Sequence, residues 1–141
     1  MISVRVFNAS RRRAIANHET ITLARGVLFS EKRKKAALNI IYIDDRAMIR
    51  LNSAYLRHRR TTDVLSFPLS EHPRALLEGE VYVNLDQARR QAKEHRVTLK
   101  NEAARLVIHG VLHLLEYDDA RAEDRREMTR LEERYLQILE V

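Results

Sequence analysis

Two histidines, His109 and His113, stand four residues apart in the segment Leu106-Val107-Ile108-His109-Gly110-Val111-Leu112-His113-Leu114-Leu115. On a helix that spacing sends both imidazoles out of one face, a turn apart, where they can share a single metal ion. Nearly every other direction around the segment is apolar, the mark of a helix buried on all sides. An unpaired buried polar group costs roughly 1–3 kcal/mol, and a shared cation lets such a helix carry two of them. A third donor is expected nearby. Asp119, or its neighbour Asp118, lies where the chain turns back after the helix. Two imidazoles, one carboxylate and a position left open for water make the donor set of a catalytic zinc site. Zinc peptidases with His-Glu-x-x-His place their general base beside the first histidine. Gly110 fills that place here, which counts against a peptidase and lets a neighbouring backbone or a substrate approach the helix.

The elements that must position this helix are readable from periodicity. Ile2, Val4 and Val6 alternate with polar residues as in a half-buried strand. Ile21, Ala24, Val27 and Leu28 recur at helical spacing, and 36–43 is an apolar run rich in β-branched residues, expected as a buried strand. Asp44-Asp45 caps a helix carrying Met48, Leu51 and Tyr55. Val64-Leu65-Ser66-Phe67 and Gly79-Glu80-Val81-Tyr82-Val83 predict two strands joined by a turn at His72-Pro73. Asn84 and Thr98 cap the next two helices, and Met128, Leu131, Tyr135 and Ile138 mark a last one near 121–139. The order β-α-β-α-β-β-α-α-α predicts an α+β domain over residues 1–141: a small mixed sheet of about four strands covered by helices, with a buried central helix carrying the metal ligands.

The 141 residues include no cysteine, which excludes disulfides, cysteine nucleophiles and thiolate metal sites. No apolar run reaches ~18 residues, so no membrane span is expected, and the N-terminus shows no secretory pattern; a cytoplasmic protein is expected. Lys and Arg number 26 against 20 Asp and Glu. Residues 1–60 hold 14 bases and 4 acids, and the remainder 12 and 16, so the basic charge is concentrated in the first part. Arginine supplies 21 of the bases, and its planar fork grips phosphate with two hydrogen bonds. A polyanion partner fits this asymmetry, as does a merely solvated basic surface.

The run His109-Gly110-Val111-Leu112-His113-Leu114-Leu115-Glu116-Tyr117-Asp118-Asp119 resembles the signature His-Gly-x-Leu-His-Leu-x-Gly-Tyr-Asp-His of the YbeY family of metal-dependent endoribonucleases, also called rRNA maturation factors. Thr62-Asp63-Val64-Leu65-Ser66-Phe67-Pro68 resembles a second block of that family, and Gly79-Glu80-Val81-Tyr82-Val83-Asn84 its Gly-Asp-Ile-x-Ile-Ser strand. The resemblance covers about Leu51 to Asp119. It implies a single-strand-specific endoribonuclease acting in small-subunit ribosomal RNA maturation and ribosome quality control. One divalent ion, with Zn²⁺ the expected one, is held by His109, His113 and Asp119, and ribosomal RNA, the small subunit or assembly proteins are the implied partners.

Three departures stand out. Asp119 replaces the family's third histidine, and Glu116 replaces its helix-ending glycine, at a cost of roughly 1–2 kcal/mol if that residue is left-handed. Leu56 replaces a functional arginine. Arg57, Arg59 or Arg60 is expected to meet the substrate phosphate instead, with Arg59 as the candidate catalytic cation. Ser66 is expected in the cleft wall against substrate, with Asp63 beside it. Arg11-Arg12-Arg13 and residues 32–35 suit contacts to the backbone of any sequence. The alternatives are a non-catalytic RNA or ribosome assembly factor whose metal is structural, a hydrolase of another substrate, and an arginine-rich DNA-binding domain. A fourth protein ligand from His58 or His95 favours the first of these, because structural zinc sites are closed.

Overall fold

The computed structural model describes residues 1–56 and 61–140. In chain order it runs β1 (Ile2–Asn8), α1 (Asn17–Ser30), β2 (Ala36–Ile43), α2 (Asp45–Leu51), a wider helical turn (Asn52–Leu56), β3 (Val64–Pro68), β4 (Leu77–Asn84), α3 (Leu85–His95), α4 (Leu99–Leu114) and α5 (Ala122–Leu136). This is the expected α+β order. The predicted caps form: the side chains of Asp44, Asn84 and Thr98 accept hydrogen bonds from the backbone N–H groups of Ala47, of Asp86 and Gln87, and of Asn101. Each satisfies donors that the first turn of a helix leaves free.

The four strands lie in the order β1-β2-β4-β3. β1 pairs with β2 and β2 with β4 in parallel, while β3 runs antiparallel to β4 at the edge, with Ser66 opposite Val81. Parallel neighbours need a crossover, which α1 supplies between β1 and β2. The chain turns at His72, whose carbonyl accepts from the N–H groups of Ala75 and Leu76, and returns as β4 between β2 and β3. Leu38, Ile40 and Tyr42 of β2 and Leu77, Val81 and Val83 of β4 are buried on one side of the sheet, each worth roughly 1.5–3 kcal/mol of apolar burial for the larger side chains.

Helix α4 packs against β3, β4, α1, α3 and α5. Ten of its 16 residues are buried, so it is central, as the apolar segment predicts. Two glycines set how closely it lies on the sheet. A Cβ on Gly110 would stand 2.3 Å from Val81 Cγ1, and one on Gly79 would stand 2.8 Å from both Leu114 Cδ atoms. The close approach at Gly110 is made by the β4 side chain.

Helix α4 ends at Leu115 in a Schellman motif: Tyr117 N–H donates to Leu112 O (3.0 Å) and Glu116 N–H to His113 O (2.9 Å). The left-handed position falls on Glu116, with φ 74°. A side chain there is strained by roughly 1–2 kcal/mol. Glu116→Gly is therefore expected to stabilise the fold by about 1 kcal/mol, after allowing for glycine's freer unfolded chain. A rise in the urea midpoint at constant m-value checks this; an unchanged midpoint would mean the strain is absorbed elsewhere.

Candidate metal centre

Within the stretch 106–114 of α4 the two histidines are the exception to burial. Their side chains remain 21% and 31% exposed, because the helix face they share opens into a cleft. Val64, Ser66 and Pro68 of β3 form the opposite wall, with Thr62 and Asp63 at one end, and the cleft encloses about 460 Å³. Ser66 Oγ donates to Gly110 O at 2.8 Å, which pins this wall to α4 between the histidines.

Across the cleft the left-handed Glu116 turns the chain back, so that Asp119 returns over the histidine face. Its Oδ2 lies 3.4 Å from His109 Nε2 and 3.5 Å from His113 Nε2, and the two Nε2 atoms are 2.9 Å apart. Donors about 2.0–2.1 Å from a tetrahedral Zn²⁺ stand about 3.3 Å from one another. The two carboxylate distances already match, and a small ring rotation opens the third. Asp118 is used differently: its Oδ1 accepts from the N–H groups of Asp119 and Ala120 and shapes the turn. Arg125 Nη1 donates to the carbonyls of Asp119 (3.3 Å) and Ala120 (2.9 Å), holding the returning loop. Of the two acids that sequence offers, the fold brings Asp119 to the histidines.

His109, His113 and Asp119 form the one group of three such donors close enough to hold a metal among the described residues. His95 Nδ1 lies instead 3.5 Å from Glu102 Oε1, and His58 is outside the described residues. Arg57, Arg59 and Arg60, expected at the substrate phosphate, are also outside them. Ser66 and Asp63 line the cleft. The donor set of two imidazoles and one carboxylate, with open space beside it, suits a borderline divalent cation that keeps a position for water.

Sequence reasoning did not find Glu132. Its Oε2 lies 2.6 Å from His109 Nδ1, and the residue is 7% exposed. Arg105 Nη1 donates to its other oxygen at 3.4 Å. A carboxylate at Nδ1 accepts that proton, which leaves the Nε2 lone pair facing His113 and Asp119. Burial by itself lowers the His109 pKa; the hydrogen bond and charge of Glu132, with the charges of Asp119 and Asp63, outweigh it and raise it above the usual histidine value. A signal was present. Glu132 falls on the stripe of Met128, Leu131 and Tyr135 that α5 buries, and an acid on a buried stripe requires a partner.

Comparison with known proteins places these features in context. The family model described as "Endoribonuclease YbeY" matches residues 5–140, well beyond the span over which motifs alone are legible. A protein of that name from Chlorobium phaeovibrioides is 39% identical over 138 residues, covering 98% of this chain and 91% of its own length. One from Chloroherpeton thalassium is 38% identical over 113 residues, covering 80% and 79%. The solution structure of TM1509 from Thermotoga maritima superposes with a TM-score of 0.70 at 26% identity, over 96% of this chain and 87% of that one.

Proposed function

This chain belongs to the YbeY endoribonuclease family, and on that premise we propose that it hydrolyses single-stranded RNA at the cleft between α4 and β3. The observation that carries this reading is the convergence of His109, His113 and Asp119 within 3.5 Å of one another beside open space. These three residues would hold one divalent cation, for which zinc is the choice that suits the donors. When bound, such an ion supplies a Lewis acid for a phosphoryl oxygen and a water whose pKa falls toward ~7.

The protein's own part is positioning. Glu132 orients His109, Arg105 holds Glu132, and the Ser66–Gly110 bond sets the cleft wall. Arg57, Arg59 and Arg60 follow the Asn52–Leu56 turn and precede the cleft residues Thr62 and Asp63. We assign them to the substrate phosphates, with Arg59 opposing the charge that grows at phosphorus. The Arg11–Arg13 run and the basic residues of 32–35 are assigned to sequence-blind backbone contacts.

The chain is read as one catalytic domain acting in the cytoplasm on ribosomal RNA of the small subunit, alone or with assembly proteins. None of the helices described is long and apolar enough to cross a membrane. A purely structural metal would need a fourth protein donor, and none joins the triad among the described residues.

The test is metal analysis of the purified protein paired with cleavage of unstructured and hairpin RNAs. About one metal ion per chain is expected, with cleavage of the unstructured RNA lost in chelator and restored by Zn²⁺. Undiminished cleavage by metal-stripped protein would remove the chemistry proposed here.

A further inference from the structure

A second pocket, of about 300 Å³, opens beside the metal centre toward the N-terminal end of α4 and shares Asp63 and His109 with the cleft. Its remaining polar wall comes from α3 (Gln91, Glu94, His95), from α4 (Glu102, Arg105) and from Glu132. Four carboxylates therefore face one guanidinium. Gln91 Nε2 gives its hydrogen bond to Glu102 Oε2 at 2.8 Å, and the two Nη atoms of Arg105 give theirs to Glu132 and Glu133. Among the acceptors, both oxygens of Glu132 are taken by His109 and Arg105, but one oxygen of Glu102 is not. Glu102 is 1% exposed, yet its Oε1 accepts no hydrogen bond; His95 Nδ1 and Arg105 Nε stand 3.5 and 3.8 Å away. The side chains of Asp63 and Glu94 accept no hydrogen bond from a described residue.

A pocket of this kind repels phosphate and asks for hydrogen-bond donors, since a buried acceptor left unpaired is costly. Because Asp63 and His109 line both spaces, a nucleotide flanking a phosphodiester placed at the triad would be the part of an RNA substrate nearest this pocket. Single-stranded bases are recognised on their Watson–Crick edges and stacked on flat side chains, histidine included. Guanine presents two adjacent donors on that edge, N1–H and the N2 amine, which a carboxylate accepts together. Uracil presents one N–H between two carbonyl oxygens, and adenine and cytosine pair an amine with a ring acceptor. His95, whose side chain is 56% exposed at the rim, offers the flat face.

We propose that this pocket is a base-reading subsite selective for a guanine flanking the scissile phosphodiester, with Glu94 and Glu102 as the acceptors and His95 as the stacking wall. The assignment rests on the endoribonuclease reading.

Four single-stranded RNAs, identical except for the nucleotide flanking a mapped cleavage site, test it with the metal-loaded protein. The guanosine RNA is expected to be cut about tenfold faster in kcat/KM than the uridine RNA, the scale of one bidentate base contact. Glu102→Gln should reduce that ratio to within about threefold with the bound metal per chain unchanged. Glu94→Gln, at an exposed position, should do likewise and keeps the test decisive if the buried variant does not fold. Equal rates on all four RNAs would overturn the subsite and leave a basic side chain of a protein partner as the occupant these carboxylates suit. A guanosine preference that survives Glu94→Gln and any folded Glu102→Gln protein would also overturn it. Failure to cut any of the four would instead strike the nuclease reading, and the subsite with it.

Discussion

His113→Ala is expected to lose metal binding and RNA cleavage together while keeping the fold. The imidazole projects into the cleft and remains 31% exposed, so its removal takes away little apolar packing. The residues that bury α4, among them Val107, Ile108, Val111 and Leu112, are untouched. A change in unfolding free energy of less than about 1 kcal/mol follows for the metal-free protein. The effect on metal is far larger. A four-ligand structural zinc site binds with about 10–16 kcal/mol, or roughly 3 kcal/mol per ligand, so loss of one of three protein donors should weaken binding by two orders of magnitude or more. Cleavage should fall at least as far, because a cation held there would supply the Lewis acid of the proposed reaction. Isothermal titration with Zn²⁺, a cleavage time course and a thermal melt of the same preparation check the three parts. Wild-type cleavage rates in a folded His113→Ala protein would end the catalytic reading.

Substitutions at Glu132 should have the next largest effect, and their pattern separates orientation from packing. Glu132→Ala leaves His109 Nδ1–H without its partner at 2.6 Å and removes one of the two carboxylates that accept from Arg105, at a cost of roughly 1–3 kcal/mol of stability. With the imidazole free to rotate or change tautomer, metal affinity should fall about 10–100-fold, the usual range for a residue that orients a ligand. Glu132→Gln keeps the volume and an accepting oxygen but not the charge. It should recover most of the lost stability and only part of the affinity, and the metal-free His109 pKa should drop relative to wild type because the carboxylate that raises it is gone. A histidine titration followed by NMR in metal-free protein reads this directly. Wild-type metal affinity in both variants would make Glu132 a packing residue only.

Much of the fold was legible before any coordinates. The three polar caps, Asp44, Asn84 and Thr98, bond at the helix starts that they predict. Local rules suffice there because capping is a contact within four residues. The histidine pair was equally legible, since i, i+4 on a helix fixes a shared face whatever the surroundings. Its degree of burial was not. A wheel that is apolar on most sides does not say where a cleft will open, and here the edge strand β3 leaves one beside Gly110.

What the amino-acid order determined alone is the run of elements, the paired imidazoles and the presence of acids just beyond their helix, because each depends on neighbours a few residues apart. The tertiary structure decided that Asp119 and not Asp118 meets the histidines, that β4 lies between β2 and β3, and that Glu132, 23 residues along the chain, sits against His109. It also decided that α3, α4 and α5 join Asp63 in bringing four carboxylates to one pocket, where Glu102 Oε1 is buried without a hydrogen bond. Periodicity tells which face of an element seeks burial; it does not tell which other face it meets. The partner across that interface, and with it the orientation of a ligand, follows only when the whole core packs.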